Sequence, residues 1–151
     1  MAIKTATISQ EGAGLRLGAI TGSGHRLVMD DAAGDAGMRP AELLPTALAG
    51  CTAMDVISIL RKKRQDVTAY AVEASGTQAD GHPAAFTRID LVHVVEGRDL
   101  DREAVRRSIE LSATQYCSVG ATLSSGMTEI HHAYRLIGPG GASADKEVVV
   151  L

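Results

Sequence analysis

Cysteine is the most reactive side chain on offer here, and the chain has two of them, Cys51 and Cys117. A thiol attacks an electrophile, a peroxide or a disulfide only as the thiolate, so its ordinary pKa of ~8.5 must be lowered for rapid chemistry near neutral pH. Cys117 sits in Gln115-Tyr116-Cys117-Ser118-Val119-Gly120, at the start of a short helical stretch. Backbone N–H groups at a helix start favour a thiolate, so local reasoning ranks Cys117 as the better nucleophile. Cys51 sits in Ala47-Leu48-Ala49-Gly50-Cys51-Thr52-Ala53-Met54, inside an apolar helical pattern. There the plain alternative is packing, because free cysteine is among the most buried residue types. A thiolate at Cys51 is costly unless a cation compensates it.

The elements around these residues follow from the pattern. Residues 3–8 alternate loosely and read as a strand. Residues 12–31 are punctuated by glycines and read as short antiparallel strands with tight turns. A helical pattern runs from about Pro40 to about Lys63, with Pro at its first position and Glu42 in its first turn. Pro45 conflicts with that start, so the helix either begins near Leu44 or is kinked. Residues 43–60 are apolar on nearly every side, which predicts a helix buried all round. Residues 67–77 and 86–96 read as strands joined by a turn at Asp80-Gly81-His82-Pro83, with Ile89, Leu91 and Val95 on one face and Arg88 and Asp90 on the other. Residues 100–116 predict an amphipathic helix, 117–123 a short helix and 128–137 a last strand. Residues 138–151 read as a peripheral tail whose apolar end, Val148 to Leu151, has no evident place.

This order is α+β, in one domain spanning residues 1–151. One small sheet covers only one side of the apolar helix, and one Phe, three Tyr and no Trp leave little bulk to cover the rest. A second copy of the chain could do so, which predicts a homodimer. A net charge of −3 offers no footprint for nucleic acid, and the basic run Arg61-Lys62-Lys63-Arg64 reads as a helix C-terminal cap. No continuous apolar run approaches the ~20 residues of a membrane span, and residues 1–10 lack a signal-peptide core. The expected location is cytoplasmic, where two cysteines are free thiols or a transient redox pair. His131 and His132 are adjacent on a strand and point to opposite faces, and His25, His82 and His93 have no partner at ligand spacing. No metal and no cofactor are expected.

The run Pro40-Ala41-Glu42-Leu43-Leu44, the stretch from Ala47 to Val56, and Tyr116-Cys117-Ser118-Val119 together resemble the OsmC/Ohr proteins. Ser23-Gly24-His25, Met29-Asp30, Arg64-Gln65-Asp66-Val67, Gly97-Arg98-Asp99-Leu100 and Leu111-Ser112-Ala113 add to the likeness, which covers roughly residues 14–134 and is nearest to a subgroup of uncertain substrate. The resemblance implies an intertwined homodimer in which antiparallel sheets wrap two central helices. It implies that Cys51 attacks an organic hydroperoxide, that Cys117 resolves the sulfenic acid as a disulfide, and that an external dithiol reduces the pair. This reverses the local ranking of the two thiols.

In that family an Arg from the N-terminal strands and a Glu before the cysteine helix activate the first thiol. The matching candidates are Arg16, with Arg26 as runner-up, and Glu42. Active peroxidases place the Glu directly after the Pro and ten residues before the Cys, whereas here Ala41 holds that place and Glu42 lies nine before Cys51. One residue turns a helical side chain by ~100°. Asp55, one turn beyond Cys51, would raise the thiol pKa if close, and reads as a structural hydrogen-bond acceptor. Three functions follow from the resemblance: thiol peroxidase, redox sensor, or non-catalytic binding protein for a small apolar ligand.

Overall fold

The structure, a computed structural model, describes residues 1–151 and divides into two compact units, Met1–Leu44 and Pro45–Leu151. In the first unit, β1 (Ala6–Gln10), β2 (Leu17–Thr21) and β3 (Arg26–Met29) form an antiparallel meander with β2 in the centre. The predicted tight turns are present. Gly24, with φ +82°, closes the β2–β3 hairpin, where Thr21 N–H donates to His25 O at 2.9 Å. Asp30, buried, accepts from Asp31 N–H at 2.8 Å and Ala36 N–H at 3.1 Å, which organises the loop after β3.

The helical pattern at Pro40 resolves into two pieces. A 3₁₀ turn (Pro40–Glu42) leads into α1 (Leu43–Lys62). Pro45 thus falls in the first turn of α1, where backbone N–H groups have no intrahelical acceptor, so the ring breaks no ladder bond. Arg64, with φ 56°, ends the helix, and Gln65 N–H donates back to Leu60 O at 3.0 Å.

The second unit holds a four-stranded sheet in the order β4-β5-β6-β7: β4 (Asp66–Gln78), β5 (Phe86–Arg98), β6 (Glu129–Ile137) and β7 (Glu147–Val149). β4 and β5 pair antiparallel, as the turn between them requires, and β6 pairs antiparallel with β7. β5 and β6, however, are parallel, with Arg88 opposite Glu129 and Glu96 opposite Ile137. The helices between them make the crossover that a parallel pair needs. α2 (Arg102–Leu111) is capped by Asp101, which accepts from Glu103 N–H at 2.9 Å. The predicted helix to Tyr116 is interrupted: residues Ser112–Tyr116 form a π turn, closed by Cys117 N–H donating to Ser112 O at 2.9 Å, before α3 (Ser118–Ser124) begins.

The chain end is not peripheral. β7 pairs with β6, Val149 is buried in the core, and Glu147 is bonded to both Arg102 and Tyr134. That core joins Val149 to Val56, Leu60, Val95, Val105, Ile109 and Tyr134. A second cluster gathers Leu48, Ile89, Leu91 and Cys117, with Cys51 against it.

α1 is buried along one stripe only, Leu48, Thr52, Val56 and Leu60, at a constant spacing of four. Met54 stays 77% exposed. The stretch Pro40–Lys62 is long and apolar enough to cross a membrane by length and composition, because Thr, Ser and Ala interrupt the apolar residues without lowering their average much. Yet only 22% of its most apolar 18 residues is buried within one chain. Helix formation is therefore explained by the sequence, and the cover expected on every side is not supplied by a single copy.

Candidate functional site

The π turn decides where Cys117 lies. A five-residue closure instead of a four-residue one inserts an extra residue before α3 and makes Cys117 its N-cap. Cys117 is buried, 4% exposed, and its Sγ accepts from Gly120 N–H at 3.2 Å. This is the helix-start contact expected from sequence. It is outweighed: burial, then the hydrogen bond with Cys51, push the Cys117 thiol up to about 11, against the lowering from Gly120 N–H.

Cys51, half-buried in the middle of α1, packs against the same cluster. Asp55 lies four residues on, on the same helix face. The sulfurs of Cys51 and Cys117 and a carboxylate oxygen of Asp55 all lie within 4.8 Å of one another. Both thiols are free. Ser112, fully buried at the start of the π turn, donates its hydroxyl proton to Asp55 Oδ2 at 2.9 Å, and its Oγ lies 3.0 Å from the Thr52 hydroxyl oxygen. Asp55 thus accepts a hydrogen bond, as its structural reading expects, but it also stands beside both thiols. Its charge adds to the rise at Cys117.

A cavity of about 110 Å³ opens beside Cys117, walled by Leu48, Ile130 and Leu151 and edged by His132. His132 belongs to a buried polar chain that sequence reasoning missed. Its Nδ1 lies 3.2 Å from His93 Nε2, the two rings stack with centroids 5.5 Å apart, and Tyr70 Oη lies 2.5 Å from His93 Nδ1. Burial holds His93 down at about 3 and His132 at about 4, and pushes the Tyr70 hydroxyl well above its usual range. Both imidazoles are neutral at neutral pH.

A sequence-family profile described as OsmC-like protein matches residues 32–131. The chain belongs to the OsmC-like family. It is 42% identical over 115 residues to Protein YhfA of Escherichia coli, an alignment covering 76% of this chain and 85% of that protein. Its fold matches the crystal structure of an OsmC-like protein from Mycoplasma pneumoniae, with a TM-score of 0.73 at 15% identity over 89% of this chain and 95% of that one. It also matches an organic hydroperoxide resistance protein from Elizabethkingia anophelis, with a TM-score of 0.63 at 15% identity over 89% and 96% of the two chains. The OsmC-like fold thus brings together Cys51 and Cys117, which are 66 residues apart in sequence.

The other two predicted residues of the OsmC-like site, Arg16 and Glu42, lie in the first unit. Arg16 Nε lies 3.6 Å from Glu11 Oε2, and Arg26 shares the same carboxylate through a closer hydrogen bond. Glu11, near the end of β1, is therefore the common anchor of both candidate cations. Glu42 accepts from Arg39 N–H at 2.9 Å, the carboxylate half of a capping arrangement for the Pro40 turn.

Proposed function

We propose that this OsmC-like protein reduces organic hydroperoxides through Cys51 and Cys117, in cytoplasmic defence against oxidative stress. The observation that carries the reading is the approach of two free thiol sulfurs within 4.8 Å in one chain, one half-buried and one buried. Family membership and the fold shared with organic hydroperoxide resistance proteins support it.

Cys51 is the more reachable sulfur and acts first. Its thiolate attacks the distal peroxide oxygen, the O–O bond breaks, and the alkoxide takes a proton from solvent to leave as the alcohol. Cys117 then attacks the Cys51 sulfenic acid: the S–S bond forms, the S–O bond breaks, and the thiol proton leaves with the hydroxyl as water. An external dithiol returns the pair to thiols by exchange. The apolar walls beside the pair suit an alkyl substituent better than they suit H₂O₂. In this reading Arg16 and Glu42 are the two charged residues that activate Cys51, as the family resemblance implies. The active species is a homodimer, whose second copy covers the exposed faces of α1 over more than the standard ~1,600 Å² of total buried surface.

One observation favours the sensor alternative. Asp55 places a carboxylate beside the pair, and its charge adds to the rise of the Cys117 thiol, which slows closure of the disulfide. Non-reducing peptide mapping after one equivalent of cumene hydroperoxide or H₂O₂ tests the proposal. A Cys51–Cys117 disulfide formed within one chain, faster with the organic hydroperoxide, is the expected result. Only intermolecular or singly oxidised products would overturn it.

A further inference from the structure

We propose that the reduced Cys51–Asp55–Cys117 cluster is a binding site for a thiophilic divalent cation of the Zn²⁺ type. The donor set is two sulfurs and one carboxylate oxygen, which suits Zn²⁺ over Mg²⁺ or Ca²⁺ and leaves the fourth tetrahedral position open. Cys51 and Asp55 reach it from one face of α1, four residues apart, the spacing by which a helix presents two ligands to one ion. Cys117 reaches it from the start of α3.

The distances fit. Metal–sulfur bonds of ~2.3 Å in a tetrahedron put the two sulfurs ~3.8 Å apart, with the carboxylate oxygen at a similar separation. All three donor atoms already lie within 4.8 Å of one another, so side-chain rotation of about 1 Å closes the set. The supporting layer is in place as well. Ser112 fixes Asp55 through Oδ2 and is itself held against Thr52, and both hydroxyl residues are fully buried. Such bonds orient a ligating carboxylate. Asp55 is paired with a neutral hydroxyl rather than a cation, and a bound divalent ion supplies the positive charge the cluster lacks.

On binding, two S–H bonds break, two metal–sulfur bonds form, and two protons leave to solvent; no electron moves. A Cys51–Cys117 disulfide leaves only the carboxylate as donor, so occupancy follows the redox state of the pair. The site holds the ion whether or not the pair reduces hydroperoxides.

The test uses the full chain, reduced and stripped with a chelator, titrated anaerobically with Co²⁺ and then with Zn²⁺. The expected result is one Co²⁺ per chain, a thiolate-to-cobalt charge-transfer band, visible bands of a tetrahedral ion, and displacement by Zn²⁺. Ser112→Ala and Asp55→Asn should each weaken Zn²⁺ binding ~10-fold to ~100-fold with an unchanged far-UV spectrum, and diamide-oxidised protein should bind none. Ser112→Ala, the smaller change, keeps the test informative if Asp55→Asn folds poorly. The absence of a charge-transfer band in protein with both thiols free by thiol counting would overturn the proposal. So would Zn²⁺ affinity unchanged in both variants.

Discussion

Acid should destabilise this protein earlier than its carboxylates alone would require, because His93 and His132 are buried as neutral rings. Their folded-state pKa values, about 3 and about 4, lie below the ordinary 6.5, so between those limits the unfolded chain binds protons that the folded chain refuses. Stability is therefore complete above pH 6.5 and falls as pH drops toward 4. The full effect for His132 is about 2.5 pH units, or about 3 kcal/mol, at ~1.4 kcal/mol per unit. Between pH 6 and pH 5 each ring should cost about 1 kcal/mol, and the pair about 2 kcal/mol. Urea unfolding at fixed protein concentration and several pH values measures this slope. The control removes every member of the chain at once: Tyr70→Phe with His93→Leu and His132→Leu leaves no orphaned partner among them, so a well-packed variant should stay folded at neutral pH. That variant should lose the extra slope below pH 6.5. The same acid dependence in the triple variant would refute the assignment to the histidines.

Val149→Ala should destabilise by about 2 kcal/mol, since β7 closes the core; chemical denaturation checks it, and a negligible change would return the chain end to the role of a tail. Met54→Lys, on the 77% exposed apolar side of α1, should lower the dimer fraction in light scattering at micromolar concentration, whereas a stable folded wild-type monomer under those conditions would defeat the dimer altogether. Arg16→Ala should slow the reaction of Cys51 with cumene hydroperoxide ~10-fold or more in stopped flow, a rate unchanged in the variant ruling Arg16 out as the activating cation.

Much of the architecture was readable because hydrophobic period and turn residues act locally. The β4–β5 hairpin follows from a Val-, Thr- and Tyr-rich stretch and an alternating one on either side of an Asp-Gly and Pro turn, and α1 from a stretch apolar on nearly every side. The parallel β5–β6 pairing and the place of β7 depend on long-range packing, so a short apolar end could not be placed from its own composition. His93 occupies the buried row of β5 between Leu91 and Val95, where a periodic reading expects an apolar residue; only its partners Tyr70 and His132, distant in sequence, make it affordable. At the site, both cysteines stood out by type, but their meeting depends on the π turn, which no local pattern announces. The same limit hid Asp55 as a possible ligand. A search for Cys and His at close spacing passes over a carboxylate whose third partner is 62 residues away in sequence. The helix-start argument for Cys117 found the right contact and misjudged its weight, because burial and a neighbouring thiol outweigh one N–H.

The central claim, that Cys51 attacks and Cys117 resolves, is tested most directly by intact mass over time for Cys117→Ser and Cys51→Ser exposed to cumene hydroperoxide. Cys117→Ser should gain one oxygen quickly as the Cys51 sulfenic acid and advance to sulfinic acid in excess oxidant, while Cys51→Ser should react slowly, like an ordinary buried thiol. Faster oxidation of Cys51→Ser would reverse the two roles, and no oxidation of either variant would contradict the peroxidase account as a whole.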